Sequence, residues 1–198
     1  PIRNNPLRGV DRDFLAICRM REEIKLFYQF DRFPNLKKLH MSQKAYLFPL
    51  GSFVVDGFKA LKKLEDLKIH IENRSQGSSF LFKGFFSLPL LKKFALEINF
   101  IKDEEWIILQ KFLKDQVQLE SLTLAVKHQP SSISRYSQQN THLESLIKDL
   151  QNKPSLNSLT LKSSFWSLEA LSKGFAHLKM ENQLHTFAFE ANDDIITS

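Results

Sequence analysis

The sequence predicts an α/β solenoid of about six strand–helix units, with a parallel β-sheet on the concave side and helices on the convex side. Three observations predict it: a recurring apolar triplet, its nearly constant spacing, and further apolar residues that recur at fixed distances before each triplet. The chain has 198 residues, of which 42% are hydrophobic and 25% charged, so it is long enough to bury the core of one such domain.

Each triplet consists of an apolar residue, two variable residues, a second apolar residue, one variable residue and a third. It recurs as Leu36-Leu39-Met41, Leu64-Leu67-Ile69, Leu91-Phe94-Leu96, Leu119-Leu122-Leu124, Leu156-Leu159-Leu161 and Leu184-Phe187-Phe189. The first members are separated by 28, 27, 28, 37 and 28 residues. Alternate residues of a strand share one face, so the triplets predict strands near 38–42, 66–71, 93–98, 121–126, 158–162 and 186–190.

Two apolar columns precede each triplet and predict a helix in every unit. Six residues before the triplet stand Phe30, Phe58, Phe85, Leu113, Leu150 and Leu178, and ten residues before it stand Leu26, Val54, Leu81, Leu109, Leu146 and Gly174. A separation of four residues places side chains on one face of a helix. Helices are therefore predicted near 12–30, 52–62, 79–87, 103–115, 141–152 and 167–179. Residues 1–35 are predicted to be an N-terminal helical cap or a partial repeat.

A single strand and helix cannot bury their apolar faces alone, whereas stacked units share a continuous core. The alternative is an alternating α/β domain with a doubly wound sheet, which does not require a fixed spacing. Because four of the five intervals agree to within one residue, the sequence favours one solenoid over residues 1–198. We further expect this solenoid to be a fragment of a longer chain.

The segment Leu91-x-x-Phe94-x-Leu96-x-x-Asn99-x-Ile101 resembles the consensus of the leucine-rich repeat. A 28-residue period that includes a helix is similar to the ribonuclease-inhibitor-like subclass, which implies a horseshoe arc and binding of proteins through its concave face. The consensus asparagine is present only at two of the six positions, Asn99 and Asn192, and the other units carry Lys44, Glu72, Lys127 and Ser164 there.

The resemblance implies a non-catalytic scaffold or adaptor that binds protein partners within a multi-subunit assembly. Members of the subclass also include regulators, so a small-GTPase activator or the substrate receptor of a ubiquitin ligase remains an alternative, although no residue can be matched to either function. A nucleic-acid-associated subunit is a second alternative. Its support is weak and consists of the basic pairs Lys37–Lys38 and Lys92–Lys93, offset by acidic neighbours, in a chain of net charge +6.

The side chains between the core positions of each strand are predicted to form the partner-binding concave face. The early units contribute mainly charged residues and the later units small or hydroxylated ones, with lysines providing electrostatic guidance. The alternative is a solvated face that binds nothing. The predicted partner-binding residues are Lys38, His40, Asp66, Lys68, His70, Lys93, Glu97, Ser121, Thr123, Ser158, Thr160 and Lys162.

The long fourth interval predicts a polar loop insertion at residues 128–142, because its Ser, Gln and Asn residues provide little apolar surface. We expect it to be an inert insertion, a partner contact or a modification site.

No catalytic residue, cofactor site, metal site or small-molecule substrate is predicted. The glycines form no phosphate-binding loop, and the six histidines show no ligand spacing. The most apolar stretch, residues 80–91, is too short to span a membrane. With a single cysteine, Cys18, we expect a cytoplasmic or other intracellular protein.

Overall fold

The computed structural model describes residues 15–18, 30–43, 52–71, 78–127, 133–150, 153–163, 166–176 and 184–191. The strands are β1 (Leu15–Cys18), β2 (Lys38–Gln43), β3 (Asp66–Ile71), β4 (Lys93–Ile98), β5 (Ser121–Val126), β6 (Ser158–Ser163) and β7 (Thr186–Ala191). The helices are α1 (Ser52–Ala60), α2 (Ser78–Phe85), α3 (Asp103–Asp115), α4 (Ile133–Leu150) and α5 (Leu168–Phe175), and a 3₁₀ turn covers Phe30–Arg32.

The strands form one parallel sheet in the order β1-β2-β3-β4-β5-β6-β7. All six strands predicted from the triplets are present, each within one residue of its expected bounds. The register joins equivalent repeat positions: Leu39 pairs with Leu67, and Leu67 with Phe94. Since a doubly wound sheet reverses its strand order, that alternative is wrong. The α/β class and the parallel sheet are thereby confirmed.

One face of the sheet is buried against the helices. In β3 and β6, buried residues alternate with partly exposed ones along the whole strand. Leu67 and Leu124 are fully buried, and they share one continuous core with the helix residues Val54 and Leu109. The helices contact their neighbours in chain order, α1 to α5. The described chain is therefore two layers, with all five helices behind the same face.

Phenylalanine rings join successive units within this core. Phe58 lies 6.3 Å from Phe30 and 5.8 Å from Phe85 between ring centroids. Phe85 continues the series to Phe94 at 5.2 Å and to Phe112 at 5.5 Å, and all five rings are at most 1% exposed. Edge and tilted contacts of this kind add to area burial. These aromatic residues therefore pack the core.

Both ends of α3 are held by polar groups. The Glu105 carboxylate accepts a hydrogen bond from the Lys102 backbone amide at 2.9 Å, which satisfies a donor at the helix start. At the other end, the Lys153 ammonium, only 4% exposed, donates to the Lys114 carbonyl at 2.5 Å. Burial lowers the pKa of Lys153, and Asp115 and Asp149 oppose this effect. Lys153 thus ties the end of α3 to the turn before β6.

The predicted helix over 12–30 is wrong where the structure describes it. Residues Leu15–Cys18 form β1, which pairs in parallel with β2 and places Ala16 opposite Leu39 and Cys18 opposite Met41. This segment is apolar at every position, so its pattern cannot distinguish a strand from a buried helix. Pairing with the edge of β2, a non-local contact, decides in favour of the strand.

The predicted polar loop over 128–142 is wrong for residues 133–142, which form the first part of α4. Residues 128–132 lie outside the described residues. Polar side chains in a loop would face solvent, whereas Gln139 is 2% exposed and accepts a hydrogen bond from Trp106 of α3. The extra residues of the fourth interval therefore lengthen a helix, and α4 begins eight residues before its predicted start at 141.

Candidate functional site

The face of the sheet opposite the helices carries every residue that was predicted to bind a partner. We define the exposed face as the first, third and fifth side chains of β2 to β7. The parallel register aligns them in three columns: Lys38, Asp66, Lys93, Ser121, Ser158 and Thr186; His40, Lys68, Ala95, Thr123, Thr160 and Ala188; Ser42, His70, Glu97, Ala125, Lys162 and Glu190.

Charged side chains of the exposed face cluster on β2 to β4. The Glu97 carboxylate accepts a hydrogen bond from His70 Nδ1 at 2.8 Å and lies 3.3 Å from Lys68 Nζ. Burial alone would raise the pKa of Glu97, but the hydrogen bonds and charges of His70 and Lys68 outweigh burial and hold this pKa below its ordinary value of 4.5. Glu97 is therefore ionised at neutral pH and bridges two basic residues.

One further ion pair and one histidine–carboxylate contact lie on the exposed face. His40 Nε2 is 3.7 Å from Asp66 Oδ1, joining β2 to β3, and Lys162 Nζ is 2.6 Å from Glu190 Oε1, joining β6 to β7. Each pair connects neighbouring strands, so the charges on this face are largely compensated within the sheet. Ion pairs that are already satisfied contribute less to steering an oppositely charged partner.

Lys38 and Lys93 differ from the other basic residues of the exposed face. Both are exposed in the first column, on either side of Asp66, and neither forms an ion pair with a residue in the described part of the chain. They are thus the two lysines of this face whose charge is available to a partner.

The central strands of the exposed face carry small side chains. Ser121, Thr123, Ser158 and Thr160 stand side by side on β5 and β6, and all four are partly exposed. Ala125 lies between Glu97 and Lys162 in the register, and it is 3% exposed. The four hydroxylated residues form an uncharged centre, which has charged residues on its β4 side and Lys162 and Glu190 in the third column, and which continues to the edge strand β7 through Thr186 and Ala188.

A ladder of charges that was not recognised from the sequence lies immediately before the strands. Lys37 and Lys92 lie 3.6 and 3.0 Å from the two carboxylate oxygens of Glu65. The hydrogen bond from Lys92 lowers the pKa of Glu65, and the same contact, with a smaller contribution from Glu120, raises the pKa of Lys92. The detectable signal was the alternation of sign at one repeat position: Lys37, Glu65, Lys92, Glu120.

A second missed feature is a buried cluster between α3 and α4. Trp106 Nε1 donates to Gln139 Oε1, and Gln139 Nε2 points at the Ile101 carbonyl oxygen at 3.4 Å. The His142 ring stacks on Trp106, with centroids 5.8 Å apart and planes 12° apart. Gln139 and His142 fall in the tract assigned to a loop, so their burial was not foreseen.

Within the described residues, no group of three or more His, Cys, Asp or Glu side chains could hold a metal ion. None of the described helices is both long enough and apolar enough to cross a membrane.

Two comparisons with known proteins found no match. No protein-family model matches the chain, and no curated protein matches it in sequence.

Proposed function

We propose that the chain is a leucine-rich-repeat protein of the ribonuclease-inhibitor-like kind, and that it binds a protein partner through the exposed face of its sheet as a non-catalytic scaffold or adaptor within a larger assembly. In this proposal the sheet lines the concave side of a horseshoe arc. The supporting observation is the register, which aligns equivalent repeat positions across β2 to β7 and leaves one face away from all five helices.

The distribution of side chains on this face suits a protein partner. The centres of protein interfaces are depleted of charged residues, and their rims are polar. The hydroxyl and methyl groups of Thr123 and Thr160 lie at this uncharged centre, next to the ion pairs around Glu97 and the Lys162–Glu190 pair. Small side chains also permit the close approach of another backbone.

The charges on and beside the exposed face favour a protein partner over a nucleic acid. A nucleic-acid site needs several unpaired cations that neutralise phosphates. On the exposed face Lys68 and Lys162 already pair with carboxylates, and the ladder pairs Lys37 and Lys92 in the same way. Lys38 and Lys93 would instead guide an acidic part of a protein partner to the uncharged centre. No described residue favours GTPase activation or ubiquitin transfer.

Affinity purification from the native cell, followed by mass spectrometry, tests this function. The double variant Thr123→Arg and Thr160→Arg fills the uncharged centre with two bulky cations. The matched control carries Ser145→Arg and Ser172→Arg, which add the same charge at exposed positions of α4 and α5. Circular dichroism and melting curves must show that both variants are folded.

We expect the wild-type chain and the control to retain the same partner, and the face variant to lose it. Binding should then be reproduced with the purified partner. Equal retention by all three proteins would refute the proposed face. Loss of retention on nuclease treatment, with a steep dependence on salt, would identify nucleic acid as the ligand instead.

A further inference from the structure

The Trp106–His142 stack lies at the junction of α3 and α4, on the helical side of the molecule. Trp106 is fully buried, and His142 has a side-chain exposure of 15%. Trp166, which precedes α5, is also buried and lies 6.2 Å from Trp106 between ring centroids. Both tryptophans of the chain therefore belong to the same cluster, which joins three consecutive units.

Described hydrogen bonds fix the Trp106 indole and the backbone of His142, but they do not reach the imidazole Nε2. Gln139 accepts from the Trp106 indole, and the Gln110 side-chain amide donates to the His142 carbonyl at 2.9 Å. His142 Nε2 is buried and has no hydrogen-bond partner among the described residues. The nearest carboxylate oxygen, Asp103 Oδ1, is 3.6 Å away, just beyond hydrogen-bond distance.

The charged groups around His142 offer one partner for a protonated ring. On α3, Asp103 faces the ring, whereas Glu105 accepts a hydrogen bond from the Lys102 amide. On α5, Glu169 and Lys173 pair with each other at 2.7 Å, and on α4 Glu144 acts on Lys173. Asp103 is thus the described carboxylate to which an imidazolium at this position would turn.

Protonation would change the geometry of the cluster. An imidazolium donates from both nitrogens, and a charged hydrogen bond to Asp103 requires a separation of about 2.7–2.9 Å. Either the His142 ring or the Asp103 carboxylate would have to move by roughly 0.7 Å or more to make it. Movement of the ring disturbs its stack with Trp106, which has no free space because its indole is fully buried. Movement of Asp103 disturbs its 3.5 Å contact with Gln139, the residue that accepts the Trp106 hydrogen bond.

We propose that the Trp106–His142 pair is an acid-responsive switch, in which protonation of His142 draws its ring from the indole towards Asp103 and loosens α4 from α3. The switch is independent of partner binding by the sheet. It favours the packed junction near neutral pH, because burial lowers the pKa of His142 below its ordinary value of 6.5 and Asp103 offsets this only in part. Acidification through this lowered pKa opens the junction.

Intrinsic fluorescence provides a direct readout, because the only two tryptophans, Trp106 and Trp166, lie in the cluster. The full chain is titrated from pH 8 towards acid, with far-ultraviolet circular dichroism recorded in parallel. We expect a one-proton fluorescence transition with a midpoint below 6.5 that precedes any loss of helix. His142→Gln should abolish it, and the exposed-site control His185→Gln should retain it.

Two further measurements keep the test decisive if His142→Gln folds poorly. Asp103→Asn removes the charge that favours the imidazolium, and it should shift the midpoint to lower pH. Histidine ring resonances followed by NMR should place the His142 transition at the same midpoint. Identical titrations of the wild type and His142→Gln would overturn the switch, and so would a fluorescence change that coincides with global unfolding.

Discussion

The Cβ atom that Gly84 lacks would lie 2.5 Å from Cδ2 of Phe58. Gly84 is a residue of α2 and Phe58 of α1, so this glycine sets how closely the two helices approach. The Phe58 ring cannot move aside, because it is fully buried between Phe30 and Phe85. The same relationship recurs between Gly174 of α5 and Ile147 of α4, where the corresponding distance to Cδ1 is 2.8 Å.

Gly84→Ala should therefore destabilise the protein, although alanine favours a helix. The overlap with Phe58 costs about 1–3 kcal/mol, while the gain in helix propensity is about 1 kcal/mol. We expect a net loss of roughly 1 kcal/mol in urea denaturation. Phe58→Leu should relieve the overlap, so the double variant should be more stable than the two single effects predict. An increase in stability from Gly84→Ala alone would contradict the packing described.

Leu124→Asp tests which face of β5 is buried. The side chain is fully buried among apolar residues, so an aspartate there would be an unpaired charge in the core, and the central units should unfold. Thr123→Asp is the matched control, because the neighbouring side chain points to the exposed face. Thermal melting should show loss of the cooperative transition only for Leu124→Asp. Equal melting profiles of the two variants would invalidate the assigned register.

Gln139→Leu should weaken the α3–α4 junction. It removes the acceptor of the buried Trp106 indole N–H, and leaving such a donor unsatisfied costs about 1–3 kcal/mol. Urea denaturation measures the loss, and tryptophan emission should change because Trp106 loses its partner. A variant as stable as the wild type, with unchanged emission, would mean that the hydrogen bond contributes nothing measurable.

Glu97→Gln should make the free energy of unfolding less dependent on pH in the acid range. The pKa of Glu97 is lowered in the folded protein, so this carboxylate contributes stability above its ordinary pKa of 4.5 that is lost as the pH falls through the folded value. At pH 7 we expect the variant to be less stable by roughly 0.5–1 kcal/mol, with the difference vanishing at acid pH. Glu190→Gln removes a more exposed pair and should have a smaller effect in the same urea titration.

The core residues and the exposed residues of the strands could be predicted from the sequence, because both follow from local patterns. Leu67 and Leu124 were identified as core residues because each lies in a strand whose alternation is visible within six residues. The residues of the exposed face followed from the same alternation. Their ion pairs did not, because the contact between His70 and Glu97 joins residues 27 positions apart and depends on the register.

The two errors have a common physical origin. The strand at 15–18 forms by pairing with β2, and the first part of α4 is ordered by the buried contact of Gln139 with Trp106. Both depend on a partner distant in the chain, which neither composition nor periodicity reveals. The charge ladder around Glu65 could have been detected in the sequence, since its alternating signs occupy one repeat position. Its ion pairs become evident only when the strands are placed side by side.

The unequal interval between β5 and β6 shows where this architecture accommodates new sequence. Ser121 pairs with Ser158 across 37 residues, whereas Lys93 pairs with Ser121 across 28, and the columns on either side continue without a shift. The additional length is accommodated outside the strands, where α4 is the longest described helix. Peptide tags or recognition segments grafted ahead of α4 should consequently be tolerated, while a single residue inserted within a strand would exchange its inner and outer faces.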